Sequence, residues 1–158
     1  MQAEFSFDSK AVEQFLDRVG KNLNNIKGAE RRFVDTLSQV VFGDIIQHFE
    51  QEEGEDGPWL SWSDMYAEHM TKIGKGGNNI LQDTGRLRQS FFPSNYRKGS
   101  GGIEWFNPAK TEDGFPYAYA HDEGGPRLPK RNFMWLSMDA LDRISIITLE
   151  FLKAEGNG

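Results

Sequence analysis

The sequence predicts an α+β domain: a helix pair at the N-terminal end, a small, mostly antiparallel sheet with short inserted helices, and a C-terminal helix packed on that sheet. Three observations predict it. Apolar residues recur at helical spacing from Val12 to Phe49 and again from Leu141 to Leu152. Aromatic segments and glycine turns concentrate between Phe91 and Leu136. Helical and strand signals are segregated along the chain, which argues against a doubly wound sheet. At 158 residues the chain suits one domain with one core.

Asp8 or Ser9 is placed to cap a first helix carrying Val12, Phe15, Leu16, Val19, Leu23 and Ile26. Gly28 punctuates, and a second helix is expected from about residue 29 to 51. Phe33, Val34, Leu37, Val41, Ile45 and Phe49 form its apolar stripe; Val40, Phe42 and Ile46 widen it, so more than one surface covers it. The short connection makes the two helices an antiparallel pair. The acidic run at 51–58 reads as a mobile loop, as does 74–79.

Ser63 or Asp64 is expected to cap a short helix through Met70, and Asp83 or Thr84 a short helix over 85–90. Strands are expected near 91–97 and 103–107 around a hairpin turn at 97–102, with Pro93 holding the first at an edge. Residues 117–121 form a short apolar-rich segment ended by Gly124-Gly125-Pro126. Phe133-Met134-Trp135-Leu136 is the best strand candidate. Ser137 then caps a last helix with Leu141, Ile144, Ile147, Thr148, Phe151 and Leu152 inward, fraying over 154–158.

The net charge of −6 is unevenly placed: residues 1–70 hold six Lys/Arg against fourteen Asp/Glu, and residues 71–158 hold twelve against ten. Faces of opposite sign suit head-to-tail association between copies, although an acidic, solubilising surface is the plainer reading. The basic residues form only short clusters (Arg86/Arg88, Arg97/Lys98, Arg127/Lys130/Arg131), not the patch of a nucleic-acid binder. Cysteine is absent, which excludes disulfides and thiol catalysis. No apolar run approaches the roughly 18 residues of a membrane span, and residues 1–4 do not open a secretory signal. A soluble chain is expected, with no membrane partner.

The search for chemistry finds no convincing catalytic set. None of His48, His69 and His121 lies four residues from another, so a helix-borne His pair for zinc is missing. His121, Asp122 and Glu123 are consecutive, and consecutive side chains diverge on a helix and alternate on a strand, which is poor ligand geometry. The acidic run lacks the ligand spacing of an EF-hand loop, and residues 99–102 lack the Gly-Lys-Ser/Thr ending of a phosphate loop. No cofactor or metal is expected. A hydrolase using His121 and Asp122 is the weakest of three readings. Trp59 and Trp62 stand in a loop and need covering, either by the helix pair or by a subunit contact.

Four blocks occur in order: Ile80-Leu81; Thr84-Gly85-Arg86-Leu87-Arg88-Gln89-Ser90; Tyr117-Ala118 with His121 and Gly124; and Pro129-Lys130-Arg131-Asn132-Phe133. Together with the helix that follows Ser137, they make residues 28–153 resemble the phage virion morphogenesis family. That family includes the tail-completion proteins of contractile-tailed phages and the G protein of phage Mu. Asn132 stands where many relatives have proline. The resemblance implies a structural protein, not an enzyme, that completes the tail or joins it to the head. Its partners would be identical subunits in a ring, a hexamer favoured, together with tail-tube and head-connector proteins; DNA would only pass through the channel. It would reside in the host cytoplasm during assembly and in the virion afterwards. The alternative is a capsid-assembly adaptor absent from the mature particle.

On this reading Thr84, Gly85, Leu87, Tyr117, His121, Gly124, Pro129 and Phe133 are structural motif residues. Gly85 permits close backbone approach, and Leu87 is buried. Arg86, Arg88 and Arg131 are left to reach a carboxylate on the same or a neighbouring subunit. They join Trp59 and Trp62 as candidate contact residues.

Overall fold

The computed structural model describes residues 23–99 and 102–156. The expected first helix from Asp8 or Ser9, with Val12, Phe15, Leu16 and Val19, lies outside the described residues. The chain is α+β, with α1 (Leu23–Gln51), β1 (Glu53–Gly54), β2 (Gly57–Pro58), α2 (Asp64–Lys72), α3 (Arg86–Gln89), β3 (Tyr96–Gly99), β4 (Gly102–Trp105), α4 (Tyr117–Glu123) and α5 (Met138–Gly156). No described helix is long and apolar enough to cross a membrane.

Helix α1 corrects one expectation. It is continuous through Gly28, which separates nothing. An interior glycine costs roughly 1 kcal/mol, little beside the burial of a stripe this apolar. Val34, Leu37, Val40, Val41, Phe42, Ile45 and Phe49 are all buried, which is the wide covered surface the sequence predicts.

The chain divides into two compact units, one of which comprises Asp44–Phe92 and Asn107–Trp135; the other is formed by the remaining described residues. In the latter, α5 is capped as expected. Ser137 Oγ accepts the Ala140 N–H at 3.2 Å, and Ser137 O accepts that of Leu141 at 3.0 Å. Ala140 and Ile144 are buried, whereas Leu141, expected inward, is exposed. The inner stripe therefore begins one residue earlier than the apolar pattern suggests. Phe151 stacks on Phe33 with ring centroids 4.3 Å apart, fixing α5 to α1. β3 and β4 pair antiparallel in the register Tyr96↔Trp105 to Gly99↔Gly102. Both strands are shorter than expected, because a turn at 93–94, imposed by Pro93, keeps the first from reaching back to Phe91. The Trp105 indole N–H donates to Ser38 Oγ at 2.8 Å, and that hydroxyl donates to Val34 O at 2.8 Å.

In the Asp44–Phe92/Asn107–Trp135 unit, the acidic run forms the ribbon β1–β2 rather than an irregular loop, with Glu53↔Pro58 and Gly54↔Gly57 in register. Pro58 has no N–H to give the ladder, and Trp59 N continues it to Glu52 O at 2.7 Å. The single small sheet expected is thus two separate two-stranded ribbons. The third strand expected, Phe133–Leu136, does not form. Its backbone groups are taken by side chains: Phe133 N and Met134 N both donate to Asp122 Oδ1 at 2.8 Å.

Candidate functional site: a cationic cleft

The C-terminal end of α1 anchors the site. Gln82 Nε2 donates to Phe49 O at 2.7 Å, satisfying a carbonyl that the helix end leaves open. Glu52 follows the helix in the left-handed region at φ 53°, and its Oε1 accepts the Ile80 N–H at 2.6 Å. Arg88 pairs with Glu50 and reaches Gln82 Oε1 at 3.4 Å. The segment from Ile80 to Arg88 is thereby tied to the helix end by three side chains.

Below it lies an aromatic cluster. Phe49 meets Trp59 edge-on at 5.4 Å and Phe133 at 5.0 Å, and Phe91 meets Phe133 edge-on at 5.8 Å. Trp59 is 6% exposed, and its indole N–H donates to Asn132 O at 3.0 Å. His48, 2% exposed, stacks flat on Trp135 at 4.0 Å. Its Nδ1 lies 3.1 Å from Phe133 O, which fixes the proton there, while Nε2 is 3.6 Å from Asp44 Oδ2.

Helix α4 and the segment after it close the unit. α4 ends at Gly124, whose φ of 73° and ψ of −173° belong to glycine alone. A tight turn bridges Gly125 and Leu128, and Arg131 N donates to His121 O at 3.0 Å. Burial raises the Asp122 carboxyl above its ordinary value, against the pull of the Phe133 and Met134 N–H groups. Burial lowers His121, helped by the Arg131 guanidinium.

Between these elements a cleft of about 1120 Å³ opens. Leu60, Trp62, Tyr66, Leu81 and Tyr117 line it, together with the cations Arg86, Lys110, Arg127 and Arg131 and the acids Asp83 and Glu112. Asp83 is already paired with Lys75 at 2.6 Å, so the net character of the wall is positive. Arg131 is 7% exposed, and its Nε and Nη2 donate to Leu60 O at 3.1 and 2.9 Å. Burial lowers its guanidinium from the ordinary value, opposed by Tyr66 and Glu52. His121 Nδ1 is buried and has no hydrogen-bond partner among the described residues.

The residues singled out from sequence fare differently. Thr84 is not the cap expected for α3. Its Oγ1 accepts the Arg86 N–H at 3.4 Å, and the capping position belongs to Gly85 at φ 69°, with no side-chain cap bond. Asp83 likewise gives no cap; it binds Lys75 and Asn78. Leu87 and Phe133 are buried. Tyr117, His121 and Pro129 line the cleft. Of the three arginines, Arg88 finds a carboxylate on its own chain, Arg131 binds a backbone carbonyl, and Arg86 is exposed on the cleft wall. Trp59 folds back on α1, whereas Trp62 is half-buried on the cleft wall, edge-on to Tyr66 at 5.5 Å. His121 and Asp122 are neighbours in sequence, but Asp122 Oδ1 serves the Phe133 and Met134 backbone amides. Among the described residues no group of three His, Asp or Glu is placed to hold a metal ion.

Glu52, Gln82, Asn132 and Asp122 were not singled out as structural residues. The side chains of Glu52, Gln82 and Asp122 act on backbone groups far along the chain, whereas Asn132 offers its own backbone carbonyl to the Trp59 indole; only a polar residue adjoining an apolar run marks them. Comparison with family models, with curated proteins and with solved structures finds no match.

Proposed function

We propose that this chain is a structural protein of a phage particle that completes the tail or joins it to the head, working as a ring of identical copies around the DNA channel, a hexamer favoured. One observation carries the reading: the blocks behind the family resemblance, dispersed over Ile80–Phe133, fall in a single unit, and the last two pack on each other. Phe91, next to the first blocks, meets Phe133 of the last, Arg131 N bonds to His121 O, and Gly124 lies against Lys130. These contacts are packing contacts between backbone and core side chains, which supports a building block rather than a catalytic centre. The acidic balance of residues 1–70 fits a channel lining that lets DNA slide past without adhering.

Mass spectrometry of purified mature particles, with cryo-electron microscopy of the neck, tests the proposal. The chain is expected in the particle, as a ring with an acidic lumen. Its presence during assembly but absence from mature particles would replace this reading with that of a transient adaptor. A ring whose channel is lined by basic residues would remove the account of the charge.

A further inference from the structure

The cleft holds a charge that the described residues do not balance. Arg131 is 7% exposed, yet it forms no ion pair with a carboxylate among the described residues. Glu52 acts on it only at longer range, its Oε1 being engaged by Ile80 N. A buried guanidinium satisfied by a single carbonyl costs folding free energy that a counter-charge would offset. Arg86 and Arg127 are exposed on the same wall and form no ion pair among the described residues, and His121 Nδ1 lacks a partner there. These features converge on an anionic occupant. At about 1120 Å³ the cleft is larger than the roughly 300–1,000 Å³ of small-molecule sites and suits a turn of polypeptide.

The chain carries a matching turn. The ribbon β1–β2 displays Glu53, Glu55 and Asp56, all exposed and none in an ion pair among the described residues. It is held in shape by the Trp59 N–Glu52 O bond and by the seating of Gly54 against Asn132. A turn already ordered loses little conformational freedom on docking.

We infer that the acidic β1–β2 turn of one copy docks in the cationic cleft of the next. The contact joins two different patches, so it is head-to-tail and closes a ring when the rotation permits. This rests on the ring reading above and names the surfaces that would build it.

The test is a charge exchange in the full-length protein, followed by light scattering and sedimentation, alone and with tail tubes. Wild type is expected to oligomerise. Glu55→Lys/Asp56→Lys and Arg86→Glu/Arg127→Glu, each folded by circular dichroism and thermal unfolding, are each expected to associate at least tenfold more weakly. Mixed in equal amounts they should reassemble, because every turn then meets a cleft of opposite sign. Wild-type-like assembly by either variant alone, or two folded variants that stay apart when mixed, would overturn the docking and leave the ring reading standing. A wild-type protein that remains monomeric even on tail tubes would overturn both.

Discussion

A methyl group added at Gly124 would stand 2.7 Å from the backbone nitrogen of Lys130 and 2.8 Å from its Cα. Neither atom is the end of a flexible side chain, so the backbone itself would have to move. Gly124→Ala also places a side chain in a region of φ and ψ that it rarely adopts. The expected cost is roughly 2–4 kcal/mol, measured by urea unfolding. Gly114→Ala is the control: its φ is 82° but a methyl there meets open space, so only the backbone cost of about 1–2 kcal/mol is expected.

Asp122 supplies a pH signature. Its carboxyl is raised in the folded state, so the folded protein binds the proton more tightly than the unfolded chain does. The contribution is fully present below the ordinary value of 3.8 and is lost as pH rises through the folded-state value. Asp122→Asn keeps an oxygen for Phe133 N and Met134 N and removes the buried charge. It should be at least as stable as wild type at pH 7, with the difference vanishing near pH 3. Asp122→Ala should lose roughly 1–3 kcal/mol. Thermal unfolding across this pH range distinguishes them; an Asn variant as damaged as the Ala variant would show that the charge itself is required.

His121 should titrate below its ordinary value of 6.5. Its contribution to stability is therefore full above that value and lost as pH falls through the folded-state value. Arg131→Gln removes the electrostatic part of the depression and leaves the burial, so the titration midpoint should rise without reaching the ordinary value. Histidine ring shifts followed by NMR against pH provide the measurement, and an unmoved midpoint would contradict the proximity of the two side chains.

Trp59→Phe retains a ring against Phe49 but removes the donor to Asn132 O. A loss of roughly 1–3 kcal/mol is expected from the orphaned carbonyl and the missing volume. Chemical denaturation followed by far-ultraviolet circular dichroism would detect it. Trp62→Phe, at a half-buried ring on the cleft wall, should cost less than 1 kcal/mol in the same assay.

The features legible from the sequence are those in which a side chain acts on its own neighbourhood. Ser63 and Ser137 stand immediately before their helices and cap them. The apolar stripe of α1 gives its width, and the glycines near residue 100 give the β3–β4 ribbon. What misled was local evidence overridden from a distance. Phe133–Leu136 has the composition of a strand, but an aspartate eleven residues earlier takes its first two N–H groups. Thr84 has the chemistry of a cap, but the left-handed backbone of Gly85 turns the chain into α3 instead. The cleft was only partly visible. Arg86, Arg131, Trp62 and Tyr117 stand out in the sequence and Arg127 belongs to a basic cluster, whereas Lys110 reaches the wall from a loop that carries no periodic signal.

The bond from Asp122 to the Phe133–Met134 backbone also bears on proteostasis. Phe133-Met134-Trp135-Leu136 is an apolar stretch without charge or proline, the composition that readily joins cross-β stacks. Two of the N–H groups that would recruit a neighbouring chain are occupied by one carboxylate, so the same atom that orders the segment also withholds it from intermolecular pairing. Loss of that acceptor oxygen, as in Asp122→Ala, would therefore lower the yield of usable subunit through aggregation during synthesis, before any defect in the finished assembly became visible.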